Sequence, residues 1–231
     1  MSLLATEGLT RHFAGLTAVD DVTFSLPPGR IRALIGPNGA GKTTFVSLLC
    51  GRIAPSAGRI WFRDKEITHQ PAHARIRAGM AYTFQITSVF ARLPALENVA
   101  IAGRAVGREA EAREALARVG LASEAHRPAG DLAYGHQRLL EIAMGLVQSP
   151  ELLILDEPTQ GLSDAEIADF EALIRALVPA TTVLLIEHNM SVVMRLADDV
   201  TVLDRGRILA EGSPQAIRAD HAVQAAYLGT G

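Results

Sequence analysis

A single cysteine in 231 residues excludes a disulfide framework within the chain and fits a reducing compartment. That residue, Cys50, follows Leu48-Leu49 and reads as a small buried apolar side chain, not a nucleophile. No apolar run approaches the roughly 18 residues that a membrane-spanning helix needs. The chain is therefore expected to be soluble, with any membrane role exercised through a partner. The start, Met1-Ser2-Leu3-Leu4-Ala5-Thr6-Glu7, lacks the basic residues and the long apolar core of a secretory signal. A net charge of −3 gives no electrostatic footprint for nucleic acid. There is no internal repeat and no low-complexity segment. What the chain does have is 48% hydrophobic residues, enough for one substantial core with a small inserted lobe.

The stretch Gly36-Pro37-Asn38-Gly39-Ala40-Gly41-Lys42-Thr43-Thr44 fits G-x-x-x-x-G-K-[ST], a phosphate-binding loop. An apolar run, Ile31 to Ile35, leads in, and a helix-forming run, Thr43 to Leu49, leads out. The motif requires that order of strand, glycine loop and helix. Its glycines let successive backbone N–H groups turn toward a polyphosphate, and the helix N-terminus adds its positive end. Lys42 supplies a point charge to the terminal phosphates, and Thr43 offers a hydroxyl to Mg²⁺.

Around this loop, Leu3 to Leu9 and Ala18 to Leu26 read as strands, with Val22, Phe24 and Leu26 alternating with Thr23 and Ser25. Gly58 to Phe62 and Met80 to Phe84 read as further strands, and Ala72 to Arg77 as a short helix. Glu97 to Gly103 and Glu109 to Leu121 read as helices. Glu109–Arg113 and Glu114–Arg118 are spaced as i,i+4 pairs on a solvated face, and Leu116 and Val119 form an apolar stripe. This helical block, about residues 88–145, divides two strand-rich parts, 1–87 and 146–231, as an inserted lobe divides a core. Leu152 to Leu155 and Thr182 to Ile186 are continuous apolar runs, the pattern of buried parallel strands. A helix spans Ala165 to Leu177. Val200 to Leu203 and Arg207 to Ala210 flank the hairpin signal Asp204-Arg205-Gly206. Ser213-Pro214 caps a helix, and a last helix runs from Asp220 to Leu228. The expected class is α/β: a mainly parallel sheet of the P-loop NTPase kind, an N-terminal antiparallel β part and an inserted α-helical lobe.

Asp156 and Glu157 end one buried strand, at the sheet edge where ligands bind in open α/β folds. One carboxylate there can hold Mg²⁺ through water, and the other can orient an attacking water. His188 ends the next apolar strand and is expected beside Glu157, within reach of a terminal phosphate.

With these residues assembled, the chain resembles the nucleotide-binding subunit of an ATP-binding cassette (ABC) transporter over nearly its whole length. Gly36 to Thr44 match the Walker A motif, and Leu152 to Glu157 match Walker B, with Glu157 at the place of the catalytic glutamate. Gln85, in Tyr82-Thr83-Phe84-Gln85, falls at the Q-loop glutamine, Gly161-Leu162-Ser163 at the D-loop, and His188 at the switch histidine. Phe13 stands where the family has an adenine-stacking aromatic, though an ordinary core position is the other reading. The signature Leu-Ser-Gly-Gly-Gln is matched by Leu132-Ala133-Tyr134-Gly135-His136. Ala133 lacks the serine hydroxyl and Tyr134 replaces a glycine, but Gly135 and the helix start remain able to bind phosphate through backbone N–H groups. Ser163 stands where the family often has aspartate. Leu132-Ala133-Tyr134-Gly135, Thr83-Phe84-Gln85, Ile186-Glu187-His188-Asn189-Met190 and Ala226-Tyr227-Leu228-Gly229 resemble the ATPases of branched-chain amino acid importers. The helical lobe is shorter than is usual in that subfamily.

The resemblance implies an ATPase that closes as a sandwich of two subunits, identical or paralogous, with ATP and Mg²⁺ at each composite site. It places Lys42, Thr43, Asp156 and Gln85 around phosphates and metal, with Glu157 orienting water and His188 sensing the γ-phosphate. The signature residues Ala133, Gly135 and His136 would cover the partner's nucleotide. The implied partners are transmembrane permease subunits and, indirectly, a periplasmic or extracellular solute-binding protein; no nucleic acid is among them. The implied location is peripheral, on the cytoplasmic face of the inner (plasma) membrane. Ile86, Val89, Phe90 and Leu93 either dock on the permease or pack the lobe onto the core. Two alternatives share the fold: a soluble ATPase acting on nucleic acid or protein machinery, and a lipid-export ATPase.

Overall fold

A computed structural model of the chain describes residues 2–83 and 88–228. Strands β1 (Leu4–Phe13) and β2 (Leu16–Leu26) form an antiparallel hairpin that turns at Ala14 and Gly15, both at positive φ. β3 (Ile31–Ile35) feeds the glycine loop and α1 (Lys42–Leu49). β4 (Ala57–Phe62) and the short β5 (Lys65–Glu66) follow, then α2 (Ala72–Arg77) and β6 (Met80–Tyr82). The chain next passes through α3 (Ala95–Arg104), α4 (Ala112–Arg118) and α5 (Tyr134–Leu146). It returns in β7 (Leu152–Asp156), α6 (Asp164–Leu177), β8 (Thr182–Ile186) and α7 (Met190–Leu196). It ends in β9 (Asp199–Asp204), β10 (Arg207–Gly212), α8 (Pro214–Ala219) and α9 (His221–Leu228).

Two sheets result. One is antiparallel, in the order β2-β1-β4-β5. The other runs β10-β9-β3-β8-β7-β6, parallel from β9 to β6, with β10 antiparallel at the edge. This is the α/β class expected, with an N-terminal antiparallel part and a mainly parallel sheet. β7 and β8 are fully buried, and β3 is buried except at Arg32, because both faces are covered. Leu153, Leu155, Val183 and Leu185 pack with α4, α5 and α6, whereas Leu152, Ile154, Leu184 and Ile186 pack with α1 and the antiparallel sheet. Alternation along each strand thus divides one apolar run between two cores.

Some element boundaries differ from expectation. The hairpin strands are longer, because Arg11, His12 and Phe13 pair through the backbone with Val19, Thr17 and Leu16. The expected helix from Glu109 begins with a 3₁₀ turn, Glu109–Glu111, and its α-helical part ends at Arg118, before Gly120. Glu109 therefore pairs with Arg104, not with Arg113. Leu116 and Val119 are buried, as the stripe required. The expected strand from Met80 is assigned only to Tyr82, and Phe84 lies outside the described residues. The Asp204-Arg205-Gly206 hairpin and the Ser213-Pro214 cap are both formed, with Ser213 accepting from the Ala216 amide. α7 had no counterpart in the sequence reading; its Asn189 cap accepts from Ser191 and Val192.

β3, β8 and β7 lie side by side and parallel, with Leu34, Ile186 and Asp156 in one row across them. The glycine loop, the Glu187-His188 segment and Asp156-Glu157 therefore emerge from the same carboxyl edge.

Candidate nucleotide site

The loop after β3 is shaped by close backbone approaches. Gly36 has φ +153° and a Cβ there would collide with the Leu203 carbonyl oxygen. Gly41 has φ +101° and a Cβ there would collide with the Ala18 carbonyl oxygen. Only glycine meets both demands. Gly36, Pro37 and Ala40 are buried, whereas Asn38, Gly39 and Thr43 face solvent. Helix α1 has no side-chain cap and no acidic residue in its first turn, so its leading N–H groups stay available to an anion. Lys42 Nζ donates to the carbonyls of Gly36 at 2.6 Å and Pro37 at 3.1 Å. Burial pulls the lysine pKa down, and Glu157 and Asp156 pull it back up.

A cavity of about 540 Å³ opens over this loop, lined by Asn38 to Thr44 and closed on one side by Glu157. That volume lies within the usual range for small-molecule sites. Leu16, Thr17 and Ala18 from the β1–β2 hairpin and Arg205 from the β9–β10 turn complete the wall. The motif did not point to these four; the Ala14-Gly15 turn was the local signal that the hairpin reached this far. Phe13 stands at the same hairpin tip but not in the cavity wall. It is 40% exposed, with the Arg11 guanidinium 4.5 Å above its ring, so the core reading of Phe13 does not hold.

At the neighbouring strand end Asp156 is buried and accepts from the Tyr82 hydroxyl at 2.9 Å. Burial raises its pKa above the ordinary carboxylate range, the Tyr82 bond opposes this, and Glu157 adds to it. Glu157 follows at φ +49°, left-handed and unusual for a non-glycine residue. His188 Nδ1 lies 3.8 Å from Glu157 Oε1, so the fold does bring the histidine to the acid. Glu187, one residue before, is almost wholly buried and accepts from Thr159, His188 and Asn189. Among the described residues no three His, Cys, Asp or Glu side chains cluster as a metal site. The oxygen donors at hand, the Thr43 hydroxyl and the Asp156 carboxylate, suit a hard cation such as Mg²⁺ that keeps most of its waters. Gln85 lies outside the described residues, as does Ile86.

The Leu132 to His136 stretch is absent from the cavity wall of its own chain. Ala133 starts α5 as its N-terminal flank and is exposed. Gly135 is buried directly beneath the Glu166 carboxylate, and His136 lies near that same carboxylate. Glu166 in turn closes a capping box with Ser163, which gives Ser163 a local task at the start of α6. Tyr134 lays its ring on Gly161 and accepts from Arg138 at 3.0 Å. Arg138 and Glu141 form a buried ion pair, and Glu141 also accepts from the Ser88 amide at 2.6 Å. Of the apolar loop residues, Val89 packs onto the core while Phe90 is 52% exposed. Buried Asn98 holds that loop by bonding both backbone groups of Phe90.

A family model described as ABC transporter matches residues 19–160. The chain belongs to the ABC transporter ATP-binding family. A second model, described as branched-chain amino acid ATP-binding cassette transporter, matches residues 207–231. The Escherichia coli high-affinity branched-chain amino acid transport ATP-binding protein LivG is 41% identical, with 98% of each chain covered. BraF of Pseudomonas aeruginosa, of the same description, is 40% identical over 98% of each. The ADP conformation of MJ1267, an ATP-binding cassette of an ABC transporter, superposes with a TM-score of 0.92 at 27% identity, covering 99% of each chain. Among the described residues no helix is long and apolar enough to cross a membrane.

Proposed function

We propose that this ABC protein hydrolyses ATP to power uptake of branched-chain amino acids or similar small solutes through a separate permease. The observation that carries the reading is the cavity in which the phosphate loop and Lys42 face Glu157. The likeness to LivG and BraF, and the match of residues 207–231 to a branched-chain model, support the solute class. The lipopolysaccharide export ATP-binding protein LptB of Acidithiobacillus ferridurans, at 32% identity, is the more distant relative, so import is favoured.

In this reading the amides of Asn38 to Thr44 and the first turn of α1 hold the ATP phosphates. Lys42 exchanges its bonds to the Gly36 and Pro37 carbonyls for the terminal phosphates. Thr43 and Asp156, with Gln85, would hold Mg²⁺, which supplies charge neutralisation on the phosphates. Glu157 orients the attacking water and accepts its proton, and His188 donates a hydrogen bond to the γ-phosphate. A second copy or a paralogue supplies Ala133, Gly135 and His136 across the nucleotide. Exposed Phe90 fits a permease contact at the cytoplasmic face of the membrane.

The test uses the purified chain with MgATP. The wild type is expected to release phosphate, Lys42→Ala to lose nucleotide affinity by at least tenfold in calorimetry, and Glu157→Gln to bind ATP but lose at least about a hundredfold in turnover. Unaltered ATP binding by Lys42→Ala contradicts the phosphate-loop assignment, and unaltered turnover by Glu157→Gln contradicts the role of the acid.

A further inference from the structure

The Glu187 carboxylate is 1% exposed and has no part in the mechanism above. Its partners are four protein donors. Oε1 accepts from the Thr159 amide at 3.2 Å and from the Thr159 hydroxyl. Oε2 accepts from the amides of His188 at 3.0 Å and Asn189 at 3.1 Å. Two donors on each oxygen fix the carboxylate in rotation as well as position. In a buried setting such bonds are strong and losing one is costly.

The position matters more than the number. β7 and β8 are paired up to Asp156 and Ile186, and the Glu157 amide still donates to the Ile186 carbonyl at 2.9 Å. Past that point the ladder ends, and the two strands run into separate loops. Glu157 enters its loop in the left-handed region, which L side chains occupy only when the surroundings impose it. Thr159 lies two residues beyond Glu157, and His188 directly follows Glu187. One buried carboxylate therefore ties the loop that carries the acid to the loop that carries the histidine.

We infer that Glu187 is a positioning residue that, through Thr159, locks Glu157 and His188 into one unit at the 3.8 Å separation seen here. The acid and the imidazole then meet the terminal phosphate and its attacking water together. This inference rests on the ATPase reading. A carboxylate suits the task where an amide does not. Glutamine has one accepting oxygen, so its NH₂ would face either the Thr159 amide or the two amides of its own loop, donor against donor.

The test measures kcat and KM for ATP, ATP affinity and Tm for Thr159→Val, Thr159→Ser and Glu187→Gln beside the wild type. Neither residue lines the nucleotide cavity. Thr159→Val is expected to lose tenfold or more in kcat with ATP affinity within about twofold of wild type. Thr159→Ser, which keeps the hydroxyl and the amide, is expected to retain the wild-type kcat. Glu187→Gln should show the same split as Thr159→Val, and it decides the matter if Thr159→Val does not fold. Unaltered kcat in the folded variants, or a loss of kcat matched by an equal loss of ATP affinity, overturns the inference. A wild type that hydrolyses no ATP overturns the ATPase reading itself, a distinguishable result.

Discussion

Asp156 is a buried acid next to another acid, held by a tyrosine hydroxyl. Burial leads in raising its pKa, and the folded chain therefore keeps its proton to a higher pH than the unfolded chain does. Between those two pKa values the native state binds more protons, so stability falls as pH rises through that window and the penalty is complete above it. Asp156→Asn keeps an oxygen that can accept from Tyr82 and removes the charge. It is expected to raise the Tm of the nucleotide-free protein by about 2–4 °C at pH 8, roughly 1 kcal/mol at this size. The gap should close as pH falls from the raised folded pKa toward the ordinary carboxylate value of the unfolded chain, and the dependence of ATP affinity on Mg²⁺ should disappear. Calorimetry across pH checks this; a lower Tm at pH 8 contradicts it. The residues that a motif spaces along the chain, Gly36 to Thr44 and Asp156-Glu157, were legible in sequence. Leu16, Arg205, Tyr82 and Glu187 were not, because only the folded sheet edge brings them to the site.

At the scale of elements, β3, α2 and β8 appear with the limits the sequence predicted. Each is bounded by a proline, a glycine or a switch to polar residues. The β1–β2 hairpin was under-read because its outer end is held by backbone pairing while Phe13 and Leu16 are exposed, which leaves no buried hydrophobic period. α5 carries the least legible feature, the Arg138–Glu141 pair on the buried side of a helix. Burial raises the Glu141 pKa, and the bonds from Ser88 and Arg138 oppose it. Removing one partner leaves an uncompensated buried charge. Arg138→Met is therefore expected to cost about 3 kcal/mol in urea unfolding. Arg138→Met combined with Glu141→Gln should cost less than the sum of the two single changes. A loss below about 1 kcal/mol for Arg138→Met contradicts a tight pair.

For the molecule as a whole, three parallel strands deliver three loops to one edge, and the helices between β6 and β7 carry Ala133 to His136 elsewhere. The nucleotide cavity of a single chain is thus walled by the phosphate loop, the β1–β2 hairpin, the β9–β10 turn and Glu157, and none of Leu132 to His136 lines it. Under the proposed function, ATP that touched both copies would favour a closed pair, and hydrolysis would remove that preference. The parallel strands were readable from apolar runs, whereas the proposed pairing of two chains comes from the family resemblance alone. The most direct measurement is the molar mass of Glu157→Gln by light scattering, with and without saturating ATP. The account predicts a monomer without nucleotide and a doubled mass with it, abolished by adding Lys42→Ala; a Glu157→Gln protein that binds ATP yet stays monomeric at every concentration would contradict it.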